Sequence, residues 1–155
     1  MAKFLGLQGF PSFDSFHAHC AMSVTFADKS CQDAYNVMKD RIEAWTPEPL
    51  AGGIYKLYDA IEDERIWATR TTPKKHYVDD ILFEYFGDSK DFQAKGCTVS
   101  AKSRSQSLSY YDYDTNFCNM WNVLKEVSGP GMTIKVDQCK FQPKEEEIAA
   151  TCAVY

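Results

Sequence analysis

Four charged residues on predicted strands, Arg70, Asp79, Lys102 and Arg104, have the side chains needed to grip an anion and hold a proton beside it. Guanidinium and ammonium groups orient carboxylate or phosphate oxygens, and a nearby carboxylate can act as acid or base. Trp67 and Tyr77 lie on the same run of strands and offer apolar surface for a ring. Two functions fit such a set. One is a binding module that orients the polar or anionic end of a mainly apolar or aromatic molecule. The other is an enzyme acting on a small anionic substrate. No nucleophile elbow, phosphate-binding loop, dinucleotide fingerprint or zinc-protease motif is present, and the sequence leaves any cofactor unknown.

Other candidates carry less. Asp79 and Asp80 are adjacent on a strand, so they point to opposite faces and do not form a carboxylate dyad. For one of them a structural ion pair with Arg70, Lys102 or Arg104 across the sheet is the expected role. Ser103, Ser105 and Ser107 share a face, but no histidine is placed to activate them. His76 falls at a turn. His17 and His19 in the segment His17-Ala18-His19-Cys20 share a face of an extended chain, yet a third ligand is missing, so no metal site is expected. The turn Tyr110-Tyr111-Asp112-Tyr113 would either stack on a planar ligand or pack over a helix start.

The elements that must position these residues centre on Cys97 to Val127. Cys97, Val99, Ala101, Ser103, Ser105 and Ser107 alternate with Thr98, Ser100, Lys102, Arg104 and Gln106, the period of a strand with unlike faces. Asp112, Asp114 and Thr115 then supply capping chemistry. Phe117, Met120, Trp121, Leu124 and Val127 follow at helical spacing, and Gly129-Pro130-Gly131 stops the helix. A strand face of small side chains lets that helix lie close.

Elsewhere the pattern predicts an irregular arm over residues 1–19 and a short strand at Ala21–Phe26. A helix follows from Cys31 to Trp45, with Ala34, Tyr35, Met38, Ile42 and Trp45 on one stripe. Thr46-Pro47-Glu48-Pro49 ends it. Strands are expected at Ile54–Ile61 and Arg65–Thr72, joined through Glu62-Asp63-Glu64, and at Tyr77–Phe86 and Cys97–Leu108. Met132–Val136 reads as a last edge strand, and Lys144–Glu147 as a solvated turn or short helix. The domain spans 20–127, with a cysteine-containing tail over 128–155 packed on it. Sequential strands flanked by helices predict an α+β fold: an antiparallel sheet of four to six strands with two helices on one face (β-α-β-β-β-β-α), helix-grip-like.

The chain has 155 residues, 45% of them hydrophobic, which suits one domain with a full core. A net charge of -5 disfavours nucleic acid and anionic membranes as partners, and no segment is long and apolar enough to span a bilayer. Cysteines at 20, 31, 97, 118, 139 and 152 form no CxxC pair. Six separated cysteines predict three disulfides, few or no free thiols and a secreted protein. MAKFLGLQGFPSF has no apolar core for a signal peptide, so a leader replaced by Met-Ala is expected. Reach excludes one bridge: Cys97 starts a long strand and Cys118 lies in the first turn of the helix that begins after that strand ends. Cys20–Cys31 is disfavoured less strongly on the same ground, because its strand is short.

Tyr77-Val78-Asp79-Asp80-Ile81-x-Phe83, then Val99-x-Ala101-x-Ser103-Arg104-Ser105, then Ser109-x-x-Asp112-x-x-Thr115-Asn116 and an apolar helix form an ordered series. Over roughly Thr69 to Leu124 it resembles the family catalogued as domain of unknown function 1499. It is similar too to small secreted animal proteins that share the CxVxA and TNxCN segments. The resemblance brings no activity that transfers residue by residue.

Two helices on one face would leave the other face of the sheet to the tail, to a partner (a homodimer through that face) or to a small-molecule ligand. The expectation is a concave, aromatic-rich groove there, holding Trp67, Tyr77 and Asp79 and edged by Arg70, Lys102 and Arg104. On that basis Arg104→Ala should weaken ligand binding and leave the melting temperature nearly unchanged.

Overall fold

The computed structural model describes residues 10–62, 64–84, 92–108, 114–128 and 132–155. It is an α+β fold whose strands are β1 (His19–Ser30), β2 (Ile54–Ile61), β3 (Arg65–Thr71), β4 (Val78–Glu84), β5 (Lys95–Ser105) and β6 (Thr133–Asp137). They form one antiparallel sheet in the order β2-β3-β4-β5-β1-β6. Helices α1 (Cys31–Ala44) and α2 (Thr115–Ser128) pack on each other and on the same side of the sheet, and a short α3 (Ile148–Cys152) lies against α2. The strand at Ala21–Phe26 is longer than its apolar alternation, because pairing with β5 continues to Ser30 through an irregularity after Phe26. There the Ser30 hydroxyl accepts from the Asp33 N–H at 3.0 Å and caps α1.

Alternation decides the core. Met22, Val24 and Phe26 of β1, Val99 and Ala101 of β5, Ile81 and Phe83 of β4, and Ile66 and Ala68 of β3 are all buried beneath the helices. The small side chains expected on β5 face α2, as close packing requires. The stripes on α1 (Ala34, Tyr35, Met38, Ile42) and α2 (Phe117, Met120, Leu124, Val127) close the layer. Trp121 stands off that stripe, half-buried, because α3 and the 45–50 loop meet it from outside.

All six cysteines pair: Cys20–Cys139, Cys31–Cys97 and Cys118–Cys152. Neither Cys97–Cys118 nor Cys20–Cys31 forms, and no thiol is free. The bridges fasten the tail, whose β6 completes the sheet beside β1. Several expectations lie outside the described residues: the first nine residues, Asp63, the end of Tyr77–Phe86 with the following loop to Asp91, the turn at 109–113 and the Gly129-Pro130-Gly131 stop. Among the described residues no helix is long and apolar enough to cross a membrane.

Candidate functional site

The sheet divides the charged set of the sequence in two. On β3 and β4, Arg70 pairs in register with Asp79, on the same parity as Ala68 and Ile81, so both point toward the helices. Arg70 is 0% exposed. Its Nε donates to Glu48 Oε2 at 2.7 Å, Nη1 donates to Asn119 Oδ1 at 2.9 Å, and Nη2 donates to the Tyr155 carbonyl. Asn119 Nδ2 donates to Asp79 Oδ2 (2.7 Å) and Ser103 Oγ (3.1 Å); Ser103 in turn donates to Asn116 Oδ1, and Asn116 to Ser105 Oγ. Asn122 Nδ2 reaches Glu48 Oε1 at 2.9 Å and the Cys152 carbonyl, and the Tyr55 hydroxyl donates to the Asn119 carbonyl. Three asparagines at i, i+3 and i+6 thus carry a polar seam along the sheet-facing side of α2.

Local sequence explains how Glu48 arrives. A cis Thr46–Pro47 bond turns the chain after α1, and the Glu48 N–H donates to the Gly53 carbonyl. Gly53 must be glycine: a Cβ there would lie 2.4 Å from Arg70 Nε and 2.5 Å from Glu48 Oε2. Burial pushes the Glu48 carboxyl above its ordinary pKa, against the pull of Arg70 and the donated hydrogen bonds, and burial likewise pushes the Tyr55 hydroxyl up. With its guanidinium committed to three protein partners, Arg70 is not on the rim of a far-face groove. It and Asp79 are parts of a satisfied buried network, which corrects the assignment made from charge type alone.

On the opposite face lie Trp67, Asp80, Leu82, Lys102 and Arg104. Trp67 is not the bare surface expected. It is 8% exposed, with the Phe10 ring edge-on at 5.4 Å, the Tyr58 ring at 4.3 Å, and its Nε1 donating to Asp80 Oδ1 at 3.0 Å. The arm therefore lies on the face that the helices leave. Tyr77 is 52% exposed and precedes β4, apart from the other candidates; its N–H donates to Thr72 Oγ1. The cross-sheet enzyme set of Arg70, Asp79, Lys102 and Arg104 is split by the sheet itself.

Arg104 anchors the arm. Its Nη2 donates to Asp14 Oδ2 at 3.1 Å and lies 2.9 Å from His17 Nδ1, which is itself 2.8 Å from Asp14 Oδ1. His17, then the Phe16 N–H and Arg104, hold the Asp14 carboxyl down at about 2 despite some desolvation. His19 instead stacks on Phe13, 4.2 Å between centroids, and among the described residues no three ligating side chains converge on a metal position. Arg104→Ala is accordingly expected to release the arm: the Trp67 emission should shift to the red, and proteases should cut near Phe13 faster than in the parent. A variant with parent-like emission and cleavage would show that the arm is held without Arg104.

Between the arm and β5-β1-β6 runs a groove of about 780 Å³. Its floor is small, with Ala21 opposite Lys102 and Ser23 opposite Ser100 in the β1–β5 register. Phe10, Phe13 and Leu82 supply apolar wall, and Lys102 and Lys135 supply ammonium groups. Lys102 makes a long contact with Glu84, 3.7 Å, and is 45% exposed. Phe10 and Lys135 carry no sequence signal that would have placed them here, because the groove is closed by segments distant in the chain. The chain matches no known protein-family model and no curated protein.

Proposed function

We propose that this is a secreted, disulfide-stapled binding protein that holds a small molecule with an apolar or aromatic body and an anionic end in the far-face groove. One observation carries the reading: both long helices lie on one face, and the other face forms a groove of ligand size under the arm. Phe10, Phe13 and Leu82 would take the apolar body, and Lys102 with Lys135 would orient the anion. Three closed disulfides support an oxidising, extracellular setting. We place the chain near the domain of unknown function 1499 family on the segments quoted above, an assignment that adds no activity.

Anilinonaphthalene sulfonate, an anionic aromatic probe, tests the site. Saturable binding to the folded protein is expected, weakened about tenfold in Lys102→Ala/Lys135→Ala, a difference of roughly 1.4 kcal/mol, with an unchanged melting temperature. Equal binding by the double variant, or none by the parent, would overturn the assignment.

A further inference from the structure

A second cleft, of about 280 Å³, opens on the helix side, between the 45–50 loop, α2 and α3. Trp45 and Trp121 give it two indole walls, and Ala149 and Ala153 of the tail keep the third side low. Its polar floor is Glu48 and Asn122, each 4% exposed.

Three features point to a cation. The floor presents a carboxylate. Glu48 belongs to a buried network on the helix side in which, among the described residues, two carboxylates (Glu48 and Asp79) face one guanidinium (Arg70). At the rim the chain already rests an ammonium on an indole, Lys125 Nζ lying 5.2 Å from the Trp121 centroid. Indole faces attract cations through their quadrupole, and more strongly where water is excluded. Lys125 is half-buried, lines the cleft and lies 4.0 Å from Glu126.

We propose that this cleft binds a small aromatic amine in its ammonium form, with the charge on Glu48 and the ring against Trp45 and Trp121. Size points to the class: a cleft just under the usual range for ligand sites suits a one- or two-ring amine. An anion of the same shape meets the Glu48 carboxylate, and a neutral alcohol gains the ring contacts without the charge. The cleft and the far-face groove lie on opposite sides of the sheet and select opposite charges, so neither proposal depends on the other.

Phenethylamine, hydrocinnamate and phenylpropanol are the probes, followed through the indole N–H resonances of the three tryptophans. Phenethylamine should shift Trp45 and Trp121 saturably and leave Trp67 unmoved, and should bind at least about tenfold more tightly than hydrocinnamate. Lys125→Ala removes the competing ammonium and should tighten phenethylamine binding about threefold. Trp121→Ala, which changes a half-buried residue outside the core stripe, should abolish the shift at Trp45 while keeping the parent's unfolding transition. Glu48→Gln should equalise the amine and the alcohol, read only if the variant remains folded. Binding of hydrocinnamate as tight as that of phenethylamine, shifts confined to Trp67, or unchanged affinity in Trp121→Ala would overturn the assignment.

Discussion

Arg70→Met should cost about 3–5 kcal/mol of unfolding free energy, because it strands buried carboxylates without their cation. Glu48 and Asp79 are 4% and 2% exposed, and Arg70 bonds the first directly and reaches the second through Asn119. Methionine fills most of the volume, so the loss comes from charge and not from a cavity. The pH dependence separates the two. In the parent, burial already holds the Glu48 pKa above its ordinary value of 4.5, and Arg70 pulls it back. Without Arg70 it rises further. A carboxyl whose pKa is higher in the folded than in the unfolded state contributes stability present below the unfolded value, which is lost as pH rises through the folded value. The deficit of Arg70→Met should therefore be smallest near pH 4.5 and grow toward neutrality. Denaturant unfolding across that range, at constant m, is the measurement. A loss independent of pH would mean that it comes from packing and lost hydrogen bonds, not from stranded charge.

How far this network was legible in the chain depends on the residue. Alternation alone puts Arg70 on the parity of Ile66 and Ala68, and Asp79 opposite in face to Asp80; both parities hold. What misleads is charge, since an arginine on a strand is assigned to solvent unless its partner is known. The partner comes from the 45–50 loop, after a cis bond that leaves no mark beyond Pro47. Asn116, Asn119 and Asn122 did leave a signal. Asparagine is a poor helix former, and three on one helical face imply side-chain bonds that offset the propensity loss. The shared face of the two helices and the excluded disulfides follow from period and reach, which are local quantities; the place of β1 between β5 and β6 does not. The covering of Trp67 by Phe10 does not, because it joins an irregular arm to a strand more than fifty residues away.

Cys20→Ala with Cys139→Ala is the second large effect, and it reaches the proposed groove as well as the stability. The bridge spans 119 residues, a loop worth roughly 5 kcal/mol if it closed alone. It does not close alone. Cys31–Cys97 and Cys118–Cys152 already shorten the path between Cys20 and Cys139 to roughly 45 residues, which brings the chain-entropy figure to about 4 kcal/mol. The loss should be local first. β6 has five residues and one neighbour, its pairing with β1 beginning at Ala21–Asp137, directly beside the bridge. Unfastened, it should fray before β3 and β4, which are paired on both sides. Hydrogen exchange should then show the Lys135 and Asp137 amides, which face β1, exchanging far faster than those of Ala68 and Ile81. Lys135 leaves with the strand, so anilinonaphthalene sulfonate binding should fall together with β6 protection. Phenethylamine binding in the cleft beside Cys118–Cys152 should persist. Loss of both ligands at once would mean that the sheet unfolds as a unit, and that β6 is held by packing beyond the disulfide.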